Sequence, residues 1–258
     1  MKQKKWIPAL IGAAVSVVGL VLMLITRTDA IAENAALPTK AIFSVSLILI
    51  VLGLVVLIAG LLPPKGHTNI RTLTMAAMFA ALCYVGFAFF KIDIPVGNDS
   101  TAFHLGNVFC VLAALCLGGM WGGLAGSVGM TIGDLFNPMY ITSAPKTFLL
   151  KLGIGLITGF VAHKIFKISQ EKERKVSIPL ATVISCAAGM AFNIVADPLV
   201  GYFYKMYIMG IPQDAATILA KVSAVTTSVN AVIAVIAATV FYLALRPALK
   251  RLKLLPQI

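Results

Sequence analysis

Charged residues are scarce in this chain of 258 residues. Asp, Glu, Lys and Arg make up 12% of it, against about 25% in an ordinary soluble domain. Acidic residues are the rarest of these, nine against 21 lysines and arginines. Apolar residues account for 60% and recur in runs of about twenty, the length that crosses a bilayer as a helix. This composition excludes a soluble enzyme, a disordered chain and a secreted disulfide scaffold.

Motifs for catalysis and metal binding are also missing. The sequence contains no G-x-x-x-x-G-K-[ST] loop, no H-E-x-x-H and no G-x-S-x-G, so we expect no ATP hydrolysis by this chain alone and no catalytic residue. The four cysteines lie inside apolar runs without metal-ligand spacing: Cys83, Cys110, Cys116 and Cys186. Such cysteines usually act as small apolar side chains. We therefore expect no metal and no cofactor.

Eight apolar runs predict an all-α, polytopic membrane protein. They are Trp6–Ile25, Ala41–Leu62, Thr72–Phe90, Phe103–Leu117, Leu124–Ile132, Thr147–Phe166, Ile178–Val195 and Leu219–Leu245. A cleaved signal peptide is the alternative for the first run, but its apolar region would have about 7–15 residues. Between the runs we expect a polar loop over Lys91–Thr101, a tight turn over Gly118–Gly123 and a cytoplasmic tail over 251–258.

The distribution of positive charge predicts the orientation. With eight spans and a cytoplasmic N-terminus, fourteen of the 21 lysines and arginines lie on the cytoplasmic side and seven do not. Cytoplasmic loops carry such an excess. We therefore expect a cell-membrane protein with both termini in the cytoplasm.

Polar side chains from several spans fall at one predicted depth, near the outer ends of the helices. Such groups are costly in a bilayer and are candidates for function. They predict a small-molecule site that is open to the outside, although each residue alone could simply be solvated at the interface. Lys151 needs a counter-charge, and Asp134 is the nearest in sequence, so these two are either ligand contacts or a structural pair. The candidate substrate-binding residues are His104, Asn107, Asp134, Lys151, Asn193, Asp197 and Asn230.

Small residues repeat at a spacing of four in the third span, as Ala76 with Ala80 and Ala77 with Ala81. This spacing lets helix backbones approach closely. The alanines could serve packing within the chain or form a docking face for another membrane subunit. Glycines repeat in the same way in the fifth and sixth spans, where we favour internal packing.

Three stretches resemble one family of membrane proteins. Phe103–Gly119 reads FHLGNVFCVLAALCLGG, Trp121–Leu135 reads WGGLAGSVGMTIGDL, and Ala144–Gly153 reads APKTFLLKLG. They are similar to the substrate-binding S components of energy-coupling factor (ECF) transporters. The resemblance covers residues 66–250, which would be the six-helix core of that family, and the alanine stripe fits it too.

The resemblance implies a function and partners. An S component binds a vitamin or vitamin precursor from outside and associates with a transmembrane coupling subunit and two cytoplasmic ATPases. Ala76, Ala77, Ala80 and Ala81 would pack on the coupling subunit, and the S component would topple in the bilayer to release its ligand. The His-Leu-Gly-Asn segment looks most like the branch that takes up pyridoxine, hydroxymethylpyrimidine or a queuosine precursor. No nucleic-acid partner is implied.

The chain departs from the family in residues 1–62, which add two helices of unknown role before the core. Two other functions stay open at this point. A stand-alone secondary carrier would need a path for a coupling ion, and the inner halves of the spans have almost no ionisable groups. An intramembrane enzyme would need a catalytic pair, for which His104 with Asp134 is the one candidate.

Overall fold

The computed structural model describes residues 7–31, 46, 49, 50, 53, 70–97, 99–170, 176–252 and 254–255. The chain divides into two compact units. The first comprises the described residues of Met1–Thr68 together with Phe203–Ala216, and the second comprises those of Asn69–Tyr202 and Thr217–Ile258.

The first unit contains α1, Ile7–Ile31, which covers the first predicted span. The Ser16 hydroxyl donates to the Gly12 carbonyl oxygen at 3.0 Å and lies 3.4 Å from the Ile50 carbonyl oxygen. The second predicted span, Ala41–Leu62, lies largely outside the described residues. The unit also contains a π-helical turn, Tyr204–Ile208.

The second unit is built from helices that follow the remaining predicted spans. They are α2, Ile70–Ala88; α3, Gly106–Leu117; α4, Gly119–Leu135; α5, Ala144–Phe160; α6, Ile178–Phe203; and α7, Gln213–Arg251. A 3₁₀ turn, Ile141–Ser143, precedes α5, and a π-helical turn, Val161–Ile165, follows it. The last residue of α6, Phe203, and the first residues of α7 belong to the first unit.

Four stretches of the described chain are long and apolar enough to cross a bilayer: Ile70–Ala88, Ile141–Ile165, Ile178–Ile208 and Gln213–Arg251. Two shorter apolar helices, Leu10–Leu22 and Gly106–Leu117, fall below that length. The predicted all-α polytopic class is confirmed.

A β-hairpin connects α2 to α3, where we expected an irregular polar loop. Its strands are β1, Lys91–Val96, and β2, Asp99–His104, paired antiparallel with Lys91 opposite His104. Gly97 takes a positive φ of 62° at the turn. The predicted helix start at Phe103 was wrong, because Phe103 and His104 pair in the ladder. We call this end of the second unit the hairpin end.

The predicted turn over Gly118–Gly123 was also wrong. Gly118 alone separates helix α3 from helix α4. It has a φ of 85°, a backbone conformation that residues with a Cβ rarely adopt. Helix α4 begins at the next residue and is 17 residues long, nearly twice the predicted fifth span. Its Gly119 and Gly123 pack against α5, where a Cβ on Gly155 would collide with the backbone of Gly123. Such contacts hold α4 and α5 close together.

Candidate functional site

The predicted substrate residues lie on five helices and the hairpin of the second unit. Asn107 lies in the first turn of α3, and Asp134 lies in the last turn of α4. Lys151 is in α5, whereas Asn193 and Asp197 are one turn apart in α6. His104 ends β2, and Asn230 lies in α7. All but His104 and Asp197 are less than 9% exposed, including Lys151 at 6%.

Packing between the helices places these residues at one depth. Gly106, beside Asn107, packs against Met130 of α4. The Cys110 thiol, one turn further along α3, lies 3.7 Å from the Lys151 carbonyl oxygen. Lys146, one turn before Lys151 in α5, contacts Asp197 of α6. The helices are therefore in register at the hairpin end, and the polar side chains form one cluster.

Several atoms of this cluster are buried without a hydrogen-bond partner among the described residues. They are His104 Nδ1, Asn107 Oδ1, Asp134 Oδ2 and Asn193 Oδ1. An unsatisfied buried polar group costs about 1–3 kcal/mol, and native proteins contain few of them. These four atoms come from four different elements, and they mark the polar cluster as the candidate site.

Asp197 differs from these residues because its carboxylate is already saturated. Oδ1 accepts from the Lys146 ammonium at 3.2 Å. Oδ2 accepts from the hydroxyls of Ser223 at 2.9 Å and Thr227 at 3.1 Å. The network ties α5, α6 and α7 together. We therefore interpret Asp197 as a residue that positions the site.

Asn230 joins the hairpin to α7. Its amide oxygen accepts from the His104 backbone N–H at 3.1 Å, and its amide nitrogen donates to the Ala102 carbonyl oxygen at 2.9 Å. One turn earlier in α7, the Thr226 hydroxyl lies 2.9 Å from that of Thr101. These contacts hold β2 against α7 and fix the position of the His104 ring.

Tyr140, between α4 and α5, fixes the hairpin from another side. Its hydroxyl donates to Asp93 Oδ1 at 2.7 Å and accepts from the Ser100 hydroxyl at 2.7 Å. The Lys91 ammonium lies 3.0 Å from Asp93 and 4.9 Å from the centre of the Tyr140 ring. Burial opposes ionisation of Asp93, but the Tyr140 hydrogen bond and Lys91 outweigh it and lower the Asp93 pKa.

Aromatic rings border the polar cluster. The Phe87 ring packs edge-on against the His104 imidazole with centroids 5.0 Å apart, and it lies 6.1 Å from the Tyr140 ring. Burial and the positive charge of Lys151 lower the pKa of His104, so the imidazole is neutral. The site thus offers a planar ring one aromatic border and several hydrogen-bonding groups.

Lys151 and Asp134 are not a direct ion pair. Among the described residues, the ion pairs within 4.0 Å are Lys91–Asp93 and Lys146–Asp197. The Asp134 carboxylate is instead bonded by the Thr147 hydroxyl. Asp134 is thus not in direct contact with the cation that we expected to neutralise it.

The structure divides the predicted alanine interface. Ala76 is buried inside the unit, and Ala80 packs against Gly129 of α4. Ala77 and Ala81 are exposed on the other side of α2. A docking face on α2 can therefore use Ala77 and Ala81, whereas Ala76 and Ala80 serve internal packing.

The sequence analysis did not identify Thr131 or Tyr140 as candidate site residues. Thr131 is buried, and its hydroxyl lacks a partner among the described residues. It lies three residues before Asp134, so helical spacing could have identified it as a neighbour on the same face. Tyr140 gives no such signal, because its partners Asp93 and Ser100 are at least 40 residues away.

Within the described residues, no group of three His, Cys, Asp or Glu side chains could hold a metal ion.

One comparison with known proteins gives a match. The family model described as "ECF-type riboflavin transporter, S component" matches residues 67–247. No match is found among curated proteins or among solved structures. The match supports an ECF S component but does not support the narrower pyridoxine, hydroxymethylpyrimidine or queuosine-precursor branch.

The matched residues include all of α2–α6, the hairpin and most of α7, and hence the whole polar cluster. They make up well over half of the chain. The chain therefore belongs to the family of ECF-type riboflavin transporter S components.

Proposed function

We propose that the polar cluster at the hairpin end binds a small, neutral, polar heterocycle from outside the cell. S components are substrate-specific transport subunits and not enzymes, so the enzyme and stand-alone carrier alternatives are set aside. The proposal is carried by the four buried atoms without partners, on His104, Asn107, Asp134 and Asn193. A bound polar molecule would supply the missing hydrogen bonds.

The charges of the site support a neutral ligand. Lys146 and Asp197 neutralise each other at 3.2 Å. Lys151 and Asp134 add one charge of each sign, so these four groups sum to zero. A phosphorylated ligand would bring further negative charge into a buried site whose four charged groups already sum to zero. We therefore favour the free heterocycle over its phosphate ester.

The identity of the heterocycle has two sources of support. The matched family is named for riboflavin, which makes riboflavin the first candidate. The His-Leu-Gly-Asn segment, His104 to Asn107, favours pyridoxine, hydroxymethylpyrimidine or a queuosine precursor. The border formed by Phe87 and Tyr140 suits a planar ring of either kind.

For delivery, we propose that Ala77 and Ala81 of α2 contact the transmembrane coupling subunit, which works with two cytoplasmic ATPases. Both alanines are exposed, and small side chains let a second helix approach closely. The orientation with both termini in the cytoplasm remains a prediction, as does the separation of residues 1–62 from a six-helix core.

Binding to the purified protein tests the proposed function. Titration calorimetry in detergent with riboflavin, pyridoxine, hydroxymethylpyrimidine and a queuosine precursor should show saturable binding of at least one compound. Its phosphate ester should bind at least tenfold more weakly. Failure of all four to bind, in protein freed of any co-purified molecule, would refute the proposal.

A further inference from the structure

Three of the unpartnered atoms in the site are hydrogen-bond acceptors. They are Asn107 Oδ1 on α3, Asp134 Oδ2 on α4 and Asn193 Oδ1 on α6, and none has a donor among the described residues. Each residue is 1–2% exposed, so bulk water does not reach these oxygens freely. Each comes from a different helix.

Four donors of the same cluster are engaged within the protein. The Lys146 ammonium and the hydroxyls of Ser223 and Thr227 all donate to Asp197. The Asn230 amide nitrogen donates to the Ala102 carbonyl oxygen. Lys151 is the cation that forms no ion pair within 4.0 Å among the described residues of the cluster. The carbonyl and carboxylate oxygens of Asn107, Asp134 and Asn193 are thus acceptors that none of these engaged donors reaches.

We propose that the site recognises its ligand through hydrogen bonds that the ligand donates, at least three in number, to Asn107, Asp134 and Asn193. Lys151 donates one bond in return, to a ring nitrogen or an oxygen of the ligand. This inference rests on the proposed function, because it specifies the chemistry of the molecule bound at that same site.

The substrate class follows from this complementarity. The ligand is a heterocycle whose amino or hydroxyl substituents point into the site. A heterocycle that offers mainly ring nitrogens and carbonyl oxygens would leave the three acceptors unpaired. Sites built to bond a donor group strongly reject the analogue that lacks it.

Matched ligand pairs that differ in their donor groups test the inference. Pyridoxine is compared with 4-deoxypyridoxine. Hydroxymethylpyrimidine is compared with an analogue that carries a methyl group in place of its amino group. Riboflavin is compared with a flavin that carries an alkyl chain in place of the ribityl chain. For the parent that binds, we expect the donor-deleted analogue to bind at least tenfold more weakly. O-Methylation at a position outside the donor set serves as a control for bulk.

Two variants of Asn107 test the same point from the protein side. Asn107→Leu removes the acceptor and should weaken binding of the parent at least tenfold. Asn107→Asp keeps an oxygen acceptor and should retain most of the affinity. Each variant is first checked for cooperative unfolding without ligand, and the ligand pairs decide the question if Asn107→Asp does not fold.

The outcomes distinguish the two levels of the proposal. If none of the parents binds, the proposed function is refuted, and this inference is refuted with it. If a parent binds and its donor-deleted analogue binds equally well, the site exists but does not recognise the ligand through hydrogen bonds that the ligand donates. This inference alone is then overturned. Equal affinity of Asn107→Leu and the unmodified protein would overturn it in the same way.

Discussion

Replacing Asn193 with leucine should change stability and binding in opposite directions. Asn193 is 1% exposed, and its Oδ1 has no partner among the described residues. A buried unsatisfied polar group costs about 1–3 kcal/mol. An apolar side chain of similar size removes that cost, so we expect the ligand-free Asn193→Leu variant to be more stable by about 1 kcal/mol.

In the complex, the same substitution removes a hydrogen bond. Loss of one buried partner costs about 1–3 kcal/mol, and 1.4 kcal/mol is a factor of ten in affinity. The dissociation constant should therefore rise about 5- to 150-fold. Unfolding in detergent with and without ligand, together with titration calorimetry, measures both effects.

Ser185→Ala is the matched control on the same helix. The Ser185 hydroxyl is buried but already donates to the Ala181 carbonyl oxygen at 2.7 Å, two turns away from Asn193. This variant should leave affinity unchanged. A ligand-free Asn193→Leu protein that is less stable than the unmodified protein, and binds ligand equally well, would refute the reasoning, because Asn193 would then be an ordinary structural residue.

Three further predictions follow from the contacts around the site. Asp197→Ala leaves a partly buried ammonium and two hydroxyls without their acceptor, so unfolding should be easier by about 1.5–3 kcal/mol, as thermal unfolding would show. Ala77→Trp should preserve ligand affinity but stop uptake in a reconstituted transporter. Ala76→Trp, in contrast, should destabilise the protein itself. Normal uptake with Ala77→Trp would exclude this docking face. Tyr140→Phe removes the donor to Asp93, which should raise the Asp93 pKa toward its ordinary value and speed hydrogen exchange in the hairpin. Because the folded Asp93 pKa is lowered, its contribution to hairpin stability should be present above the ordinary carboxyl pKa and be lost as pH falls through the folded value.

The helices were predictable because the length of an apolar run is a direct physical requirement of the bilayer. The hairpin was not, since its six-residue strands are stabilised by residues far away in sequence. Asn230 is more than 120 residues from the strand that it holds. Gly118 was part of the predicted turn, but the sequence did not indicate that this single glycine would suffice to reverse the chain.

The sequence could group the candidate site residues by depth, but it could not assign a role to each of them. Polar residues near the ends of spans were predicted to lie at one level, because the rise of a helix fixes the depth of each residue. Whether the side chain of each residue already has hydrogen-bond partners within the protein depends on contacts between helices. Asp197 has such partners, whereas Asn193 Oδ1 has none among the described residues, although both residues lie on α6. Similarly, repeats at a spacing of four created two alanine pairs on α2, and only packing shows that Ala76 faces inward and Ala77 outward.

Native mass spectrometry of the purified protein tests the central claim most directly. Protein released gently from detergent should carry one equivalent of a neutral heterocycle, and the double variant Asn107→Leu/Asn193→Leu should carry none while remaining folded. The account would be contradicted if the double variant retained the same molecule at the same occupancy. The polar cluster at the hairpin end would then not be the binding site.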